Sequence, residues 1–447
     1  MPAHRLVAAL ALTPLIAACE LTERAGIGFE TPIDAGPLPT PDADLVADAS
    51  FTPTVTWYRD IRPIIEARCL GCHGEAGIGS LDLRHHPEEW VDGPAWWAAA
   101  AADAILDGRM PPWMPEDGCR PISNDQRLDA TALARVARWR AERLPVGDPR
   151  EAAPTPPAME AAPADRVAPG EGYVPDFGAG DDHRCRIVEA AVSPLFVQAL
   201  AVVADQPAMV RRARVFAVDA AQAEALAALD AADPGPGYGC YGGPGVASEL
   251  LLAWQPGDGA LWFPATSAAV LEAGDRLVLQ VQFDPAGLDP GAAVPVDHSG
   301  VALWLRAADD PPADRVRVVR HAASGVRVPA GEIGTSASDF EIGRVATVIG
   351  VVPQMHAAGA AIEASIVRAD GEAACLVEID EWQFDRQRGY LFPPEQWVAV
   401  GPDDLHRVRC AYDNRTGAAP ISGGDGPGEE ICADHLVMTV PWRGSPR

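Results

Sequence analysis

The sequence predicts a multidomain chain, with a small all-α domain followed by two antiparallel β-sandwich domains. Three observations carry this. Between residues 56 and 146 apolar side chains recur at helical spacing around a Cys-x-x-Cys-His motif. From residue 173 onward, short runs alternate apolar and polar residues and are separated by turn residues. A chain of 447 residues exceeds one ordinary core, and its β-rich part suits two sandwiches better than one. The 42 Gly and 43 Pro point the same way, to turns and linkers rather than long helices.

The first 18 residues read as a lipoprotein signal peptide. His4 and Arg5 start it, and the apolar run from Leu6 to Ala18 is too short to span a bilayer. It ends Ile16-Ala17-Ala18-Cys19, which resembles a bacterial lipobox and makes Cys19 the lipidated residue. An ordinary secretory signal with an incidental Cys is the competing reading. Residues 19–55 lack hydrophobic periodicity and read as a flexible tether. The expected location is periplasmic or on the cell surface of a bacterium, with the membrane reached through the lipid. The net charge of −28 would repel nucleic acid, so no nucleic-acid partner is expected.

Residues 56–146 form the expected haem segment. Cys69-Leu70-Gly71-Cys72-His73 is an attachment signature for c-type haem: two thiols bind the vinyl groups and His73 is the proximal ligand. A redox Cys-x-x-Cys would call for a βαβ setting, and a zinc site for a second Cys/His pair; neither follows. Ile61, Ile64 and Ile65 place a helix ahead of the motif, over Trp57 to Arg68. Pro94 to Leu106 is Ala-rich and helical, and a last helix near Asp129 carries Leu133, Val136 and Trp139 on one stripe. Met110, in a Pro-rich loop, is the first choice for the sixth ligand and Met114 the second. His85 and His86 are rivals for that role. The order of parts resembles class I cytochrome c domains. Residues 147–172 read as a linker.

Strands are expected at Arg276 to Phe283, Val301 to Leu305, Arg344 to Val352, Ala361 to Arg368, Cys375 to Ile379, His406 to Tyr412 and His435 to Val440. Leu277, Leu279, Val281 and Phe283 share one face of the first. One Ala-rich helix, Ala220 to Ala231, interrupts the pattern. The domains are expected at 173–310 and 311–447.

Landmarks across residues 173–445 resemble the copper type II, ascorbate-dependent monooxygenase family, which includes peptidylglycine α-hydroxylating and dopamine β-monooxygenases. They are Asp181-Asp182-His183-Arg184-Cys185, Val210-Arg211-Arg212, Gly237-Tyr238-Gly239-Cys240, Leu277 to Phe283, Gln354-Met355-His356-Ala357-Ala358-Gly359, Trp382 to Tyr390, Arg409-Cys410 and Glu429-Glu430-Ile431-Cys432. The resemblance implies disulfides Cys185–Cys240 and Cys410–Cys432 and leaves Cys119 and Cys375 unassigned. It also implies one copper per β domain. The first copper's ligand positions fall on Arg211, Arg212 and Gln282; the second's fall on Gln354, His356 and Ile431. Arg and Ile offer no lone pair and Gln a weak oxygen, so copper is not expected to bind as in the family. The function implied is electron transfer by haem c to a redox partner protein, beside a module that has lost copper and catalysis. The alternative is an active copper monooxygenase with the haem as its electron donor. A haem peroxidase ranks third, because Met110 would block the open position it needs.

Overall fold

The computed structural model describes residues 54–74, 77–79, 81–84, 97–153, 163–289 and 291–444. The signal peptide, Cys19, all of the tether but residues 54 and 55, His85 and His86 lie outside the described residues. The chain is mostly β-sheet, with few helices and several sheets.

The helices cluster near the start. A wide helical turn at Trp57–Ile61 runs into Arg62–Arg68, and after Cys69 a short turn covers Leu70–His73. Further helices span Trp97–Leu106 and Ala130–Ala141. The Asp129 side chain caps the last one by accepting from the Ala132 amide at 2.8 Å. Val136 and Trp139 of the expected stripe are buried and Leu133 is half-buried. They close on Trp57, Ile61, Ile65 and Trp97. The Trp57 ring lies 5.8 Å from Trp97 and 5.9 Å from Trp139, so three indoles form the centre of this core.

One expectation for this segment needs correction. Residues 113–124 leave the helices and run along the far β layers. Glu116 and Ser123 donate backbone N–H groups to Glu378 O at 2.8 Å and Leu391 O at 2.7 Å. Cys119 is joined to Cys375. The linker expected over 147–172 is also partly β: Arg166–Ala168 pairs with Gly300–Leu305 at the edge of the largest sheet.

That sheet has ten strands. Its main path runs Arg166–Ala168, Gly300–Leu305, Leu195–Val203, Ser267–Leu271, Asp314–Ala322, Ala433–Pro441, Ala346–Gln354 and Tyr390–Leu391. Its pairings are antiparallel except one: Asp314 and Arg315 pair in parallel with Ser267 and Ala268. This contact fuses the sheet of the first β module to that of the second. A five-stranded sheet covers the first half: Tyr238–Gly239, Asp182–Ala190, Arg276–Phe283, Val210–Val218 and Glu249–Trp254. A four-stranded sheet of Ile333–Glu341, Leu405–Asp413, Gly359–Val367 and Ala373–Ile379 covers the second. Each pair of layers packs face to face over its own core, the arrangement of β-sandwiches. Val316, Val318 and Val437 of the second half also enter the first core. The Ala-rich helix spans Ala223–Ala232 and buries Leu226.

Arg276–Phe283 departs from simple alternation. Its apolar face is buried as expected from the pattern, but Gln280 and Gln282 on the other face are buried too, at 4% and 5% exposure. Gln280 donates to the carbonyls of Cys240 and Tyr241 at 2.8 and 2.9 Å. The loop carrying them is pinned over this face by the Cys185–Cys240 disulfide. A third disulfide joins Cys410 and Cys432.

Candidate functional site: the thiol–imidazole motif and the cleft beyond it

Pro63 sits in the first turn of Arg62–Arg68, where a missing N–H costs nothing, and Ile65 buries one face of that helix. The helix therefore delivers Cys69 and the following turn at a defined place. The His73 amide donates to Cys69 O at 2.8 Å. His73 Nδ1 lies 2.8 Å from Leu81 O. A carbonyl only accepts, so Nδ1 carries the proton and Nε2 keeps its lone pair. A Cβ on Gly79 would come within 2.5 Å of His73 Nδ1, so a bare glycine lets the loop close on the ring.

Cys69 and Cys72 are free thiols, whereas the other described cysteines form disulfides. Burial pushes the Cys69 thiol up to about 12. It also raises Cys72, against the opposing pull of Arg388, Arg386 and Arg211. Cys72 Sγ donates to Pro256 O at 3.0 Å, and Gly71 packs on Gly257. The motif thus rests on a loop of the first β module, with arginines from both modules beside it. Arg388, from the second module, pairs with Asp258 of that loop.

The two candidate methionines separate. Met110 packs against the helical core, with Cys69 and Leu70. Met114 is 5% exposed inside the core of the second sandwich, where its Sδ accepts from the Gln383 amide at 3.3 Å. Met114 is therefore placed away from the motif's core, and Met110 shares it.

The first three positions singled out by the resemblance, Arg211, Arg212 and Gln282, lie close together. Across the five-stranded sheet, Gln282 is in register with Arg212 on one neighbour and His183 on the other. Gln282 Nε2 and His183 Nε2 both approach Asp181 Oδ2, at 2.7 and 2.9 Å. Arg212 donates to Phe384 O at 2.8 Å and lies 4.3 Å over that ring. Arg211 falls at a break in the register and faces Asp385 at 3.4 Å. A cation held by these groups would meet two guanidinium charges.

In the second set, His356 is 5% exposed and its Nδ1 lies 2.8 Å from Glu429 O. Its ring sits between Tyr241 and Phe384, with centroids 5.4 and 6.2 Å away. Gln354 Oε1 is bonded to His435 Nε2 at 3.1 Å, and Ile431 is buried. Among the described residues, no group of three or more His, Cys, Asp or Glu side chains is placed to hold a metal ion.

The sequence reading missed several partners. Arg214 is two residues along the strand from Arg212 and bonds Gln387 Oε1 at 2.8 Å across the module boundary. Tyr241 stands between His183 and His356. His321 Nδ1 lies 2.7 Å from His406 Nδ1, and His406 Nε2 lies 3.0 Å from Asp434, all between the sheets of the second sandwich. The i, i+2 spacing of Arg212 and Arg214 on one strand was a usable signal. The His–His–Asp row was not, because its members come from three strands distant in sequence.

No family model and no curated protein matches the chain. Among solved structures, infectious bursal disease virus Gx strain is 12% identical, over 64% of this chain and 76% of that chain, with a TM-score of 0.17. An insecticidal delta-endotoxin from Bacillus thuringiensis is 6% identical, over 70% of this chain and 63% of that one, also at 0.17. No helix among the described residues is long and apolar enough to cross a membrane.

Proposed function

We propose that this chain is an exported, lipid-anchored haem c protein that transfers electrons to a redox partner protein. In this reading its β modules descend from a copper type II monooxygenase architecture and no longer bind copper or catalyse. The observation that carries the haem reading is His73: Leu81 O holds its Nδ1–H, no partner for Nε2 is found among the described residues, and free thiols stand at Cys69 just before the turn and Cys72 within it.

The donor set suits c-type haem. The thiols of Cys69 and Cys72 would tether the group covalently, and His73 Nε2 and Met110, in the same core, would hold its iron. When bound, the haem supplies a one-electron carrier. Leu81 O keeps the imidazole in one tautomer. Arg211, Arg386 and Arg388 put positive charge beside Cys72.

The loss of copper is supported by donor chemistry. Arg212 and Gln282 occupy one row with their donors committed to a carbonyl and a carboxylate. Ile431 has nothing to donate, and Gln354 is engaged by His435. His356 alone keeps a free imidazole nitrogen.

Elemental analysis of the exported protein, with a visible spectrum on the same sample, tests both halves. One iron per chain, thioether-linked haem and no stoichiometric copper are expected. Copper near two per chain would overturn the copper-free reading, and a haem-free product from cells with c-type maturation would overturn the first half.

A further inference from the structure

We propose that the cleft between the two β modules binds a small organic oxyanion, a carboxylate or phosphate on an apolar body, with Arg214 as its principal anchor. The inference stands apart from the haem reading.

The cleft has a volume of about 740 Å³, enough for a small metabolite. Arg214, Arg320, Gln354 and His435 line it together with Phe216 and Tyr238. One wall is thus cationic and polar and another aromatic, which suits a charged head on an apolar body.

The charges inside do not balance. Arg214 has a neutral amide, Gln387 Oε1, as its partner, and Arg212 has the Phe384 carbonyl and ring. Among the described residues neither forms an ion pair. The nearby acids already have partners: Asp181 with His183 and Gln282, Asp385 with Arg211, and Asp425, itself on the cleft wall, with Arg320 at 2.6 Å. Burial pushes Arg214 down to about 9, with the charges of Arg212 and Arg320 adding to the effect, and Arg212 to about 10, with Arg211 adding. A guanidinium desolvated without a counter-charge is expensive, and an oxyanion can accept from its planar fork at two atoms.

The setting sharpens the point. The chain as a whole carries −28, yet Arg214 and Arg320 line this cleft against the single acid Asp425, and Arg212 lies close enough to act on Arg214. Burial and these arginines also hold His356 and His435 below the usual imidazole range, so neither supplies a competing charge at neutral pH.

Isothermal titration calorimetry on the full exported protein tests this with 3-phenylpropionate, phenyl phosphate and the uncharged 3-phenylpropanol. Saturable binding is expected for at least one anion, about tenfold or more tighter than for the alcohol. The two anions show whether carboxylate or phosphate is preferred. Arg214→Gln should lose about tenfold or more of that affinity, while Arg166→Gln, an exposed side chain paired with Glu189, should lose none. If Arg214→Gln does not fold, the anion-to-alcohol ratio on the unaltered protein decides alone. Equal binding of alcohol and anions, no binding of either anion at millimolar concentration, or full affinity in folded Arg214→Gln would each overturn the proposal.

Discussion

Cys119–Cys375 closes 256 residues of chain, against 55 and 22 for the other two bridges. Chain entropy makes a cross-link of that span worth about 5.5 kcal/mol, taken entirely from the unfolded state. In the folded state the bridge is nearly redundant. Arg120 Nε donates to Cys375 O at 2.9 Å and Arg120 Nη1 to Gln396 O at 2.7 Å. Asn124 exchanges hydrogen bonds with Gly389 O and the Leu391 amide at 2.9 and 3.1 Å. Met114 anchors the same strap inside the second core. Both bridging cysteines are half-buried, so Cys119→Ala with Cys375→Ala opens little cavity. The double variant should therefore keep its native spectrum and lose about 4 to 5 kcal/mol in urea unfolding followed by tryptophan fluorescence. The loss should appear as slower refolding with an unchanged unfolding rate, since native contacts hold the strap without the sulfurs. A loss below about 1 kcal/mol, or one that appears mainly as faster unfolding, would refute this reasoning.

The two methionines give opposite phenotypes. Met110→Ala should abolish the Met–iron charge-transfer band of the oxidised protein with little change in stability. Met114→Ala should keep that band and cost about 3 kcal/mol, as a buried side chain in the second sandwich; the reverse pattern would exchange their roles. His321 makes acid costly: burial first, then His406, holds it at about 4 in the folded chain against 6.5 unfolded. It stays neutral in the folded state while the unfolded chain takes up a proton. Stability is therefore full above 6.5 and declines as pH falls toward 4. The decline reaches about 2 kcal/mol by about pH 5. His321 stacks on Phe340 at 4.8 Å, so His321→Phe keeps an aromatic ring there. Urea unfolding of this variant at both pH values should show a correspondingly smaller loss.

Much of the fold was legible because it is local. The helix before Cys69 follows from Ile61 and Ile65, and the edges of the seven expected strands fall within two residues of the alternation, while the other strands among the described residues were not read. Arg276–Phe283 was read to the residue. The burial of Gln280 and Gln282 was not, since a neighbouring loop, pinned from Cys240, covers a face that alternation alone marks as open. The strap at 113–124 was also missed. Its anchors on Glu378 and Leu391 are backbone contacts, which leave no mark in residue type.

By itself the sequence determined the chemistry on offer: two thiols and an imidazole within five residues, a helical segment, a β-rich remainder, and arginine and glutamine where a resembled family keeps histidines. Those are covalent facts of spacing and side-chain type. Only the tertiary structure decided which groups meet. It set Met110 against the helical core that Cys69 also borders and sent Met114 into another core. It fused two sandwiches through Asp314–Ser267 and brought Arg214 to Gln387 across them. The physical reason is that long-range pairing is chosen by the burial of whole faces and by buried charge, and neither is a property of any short stretch of chain.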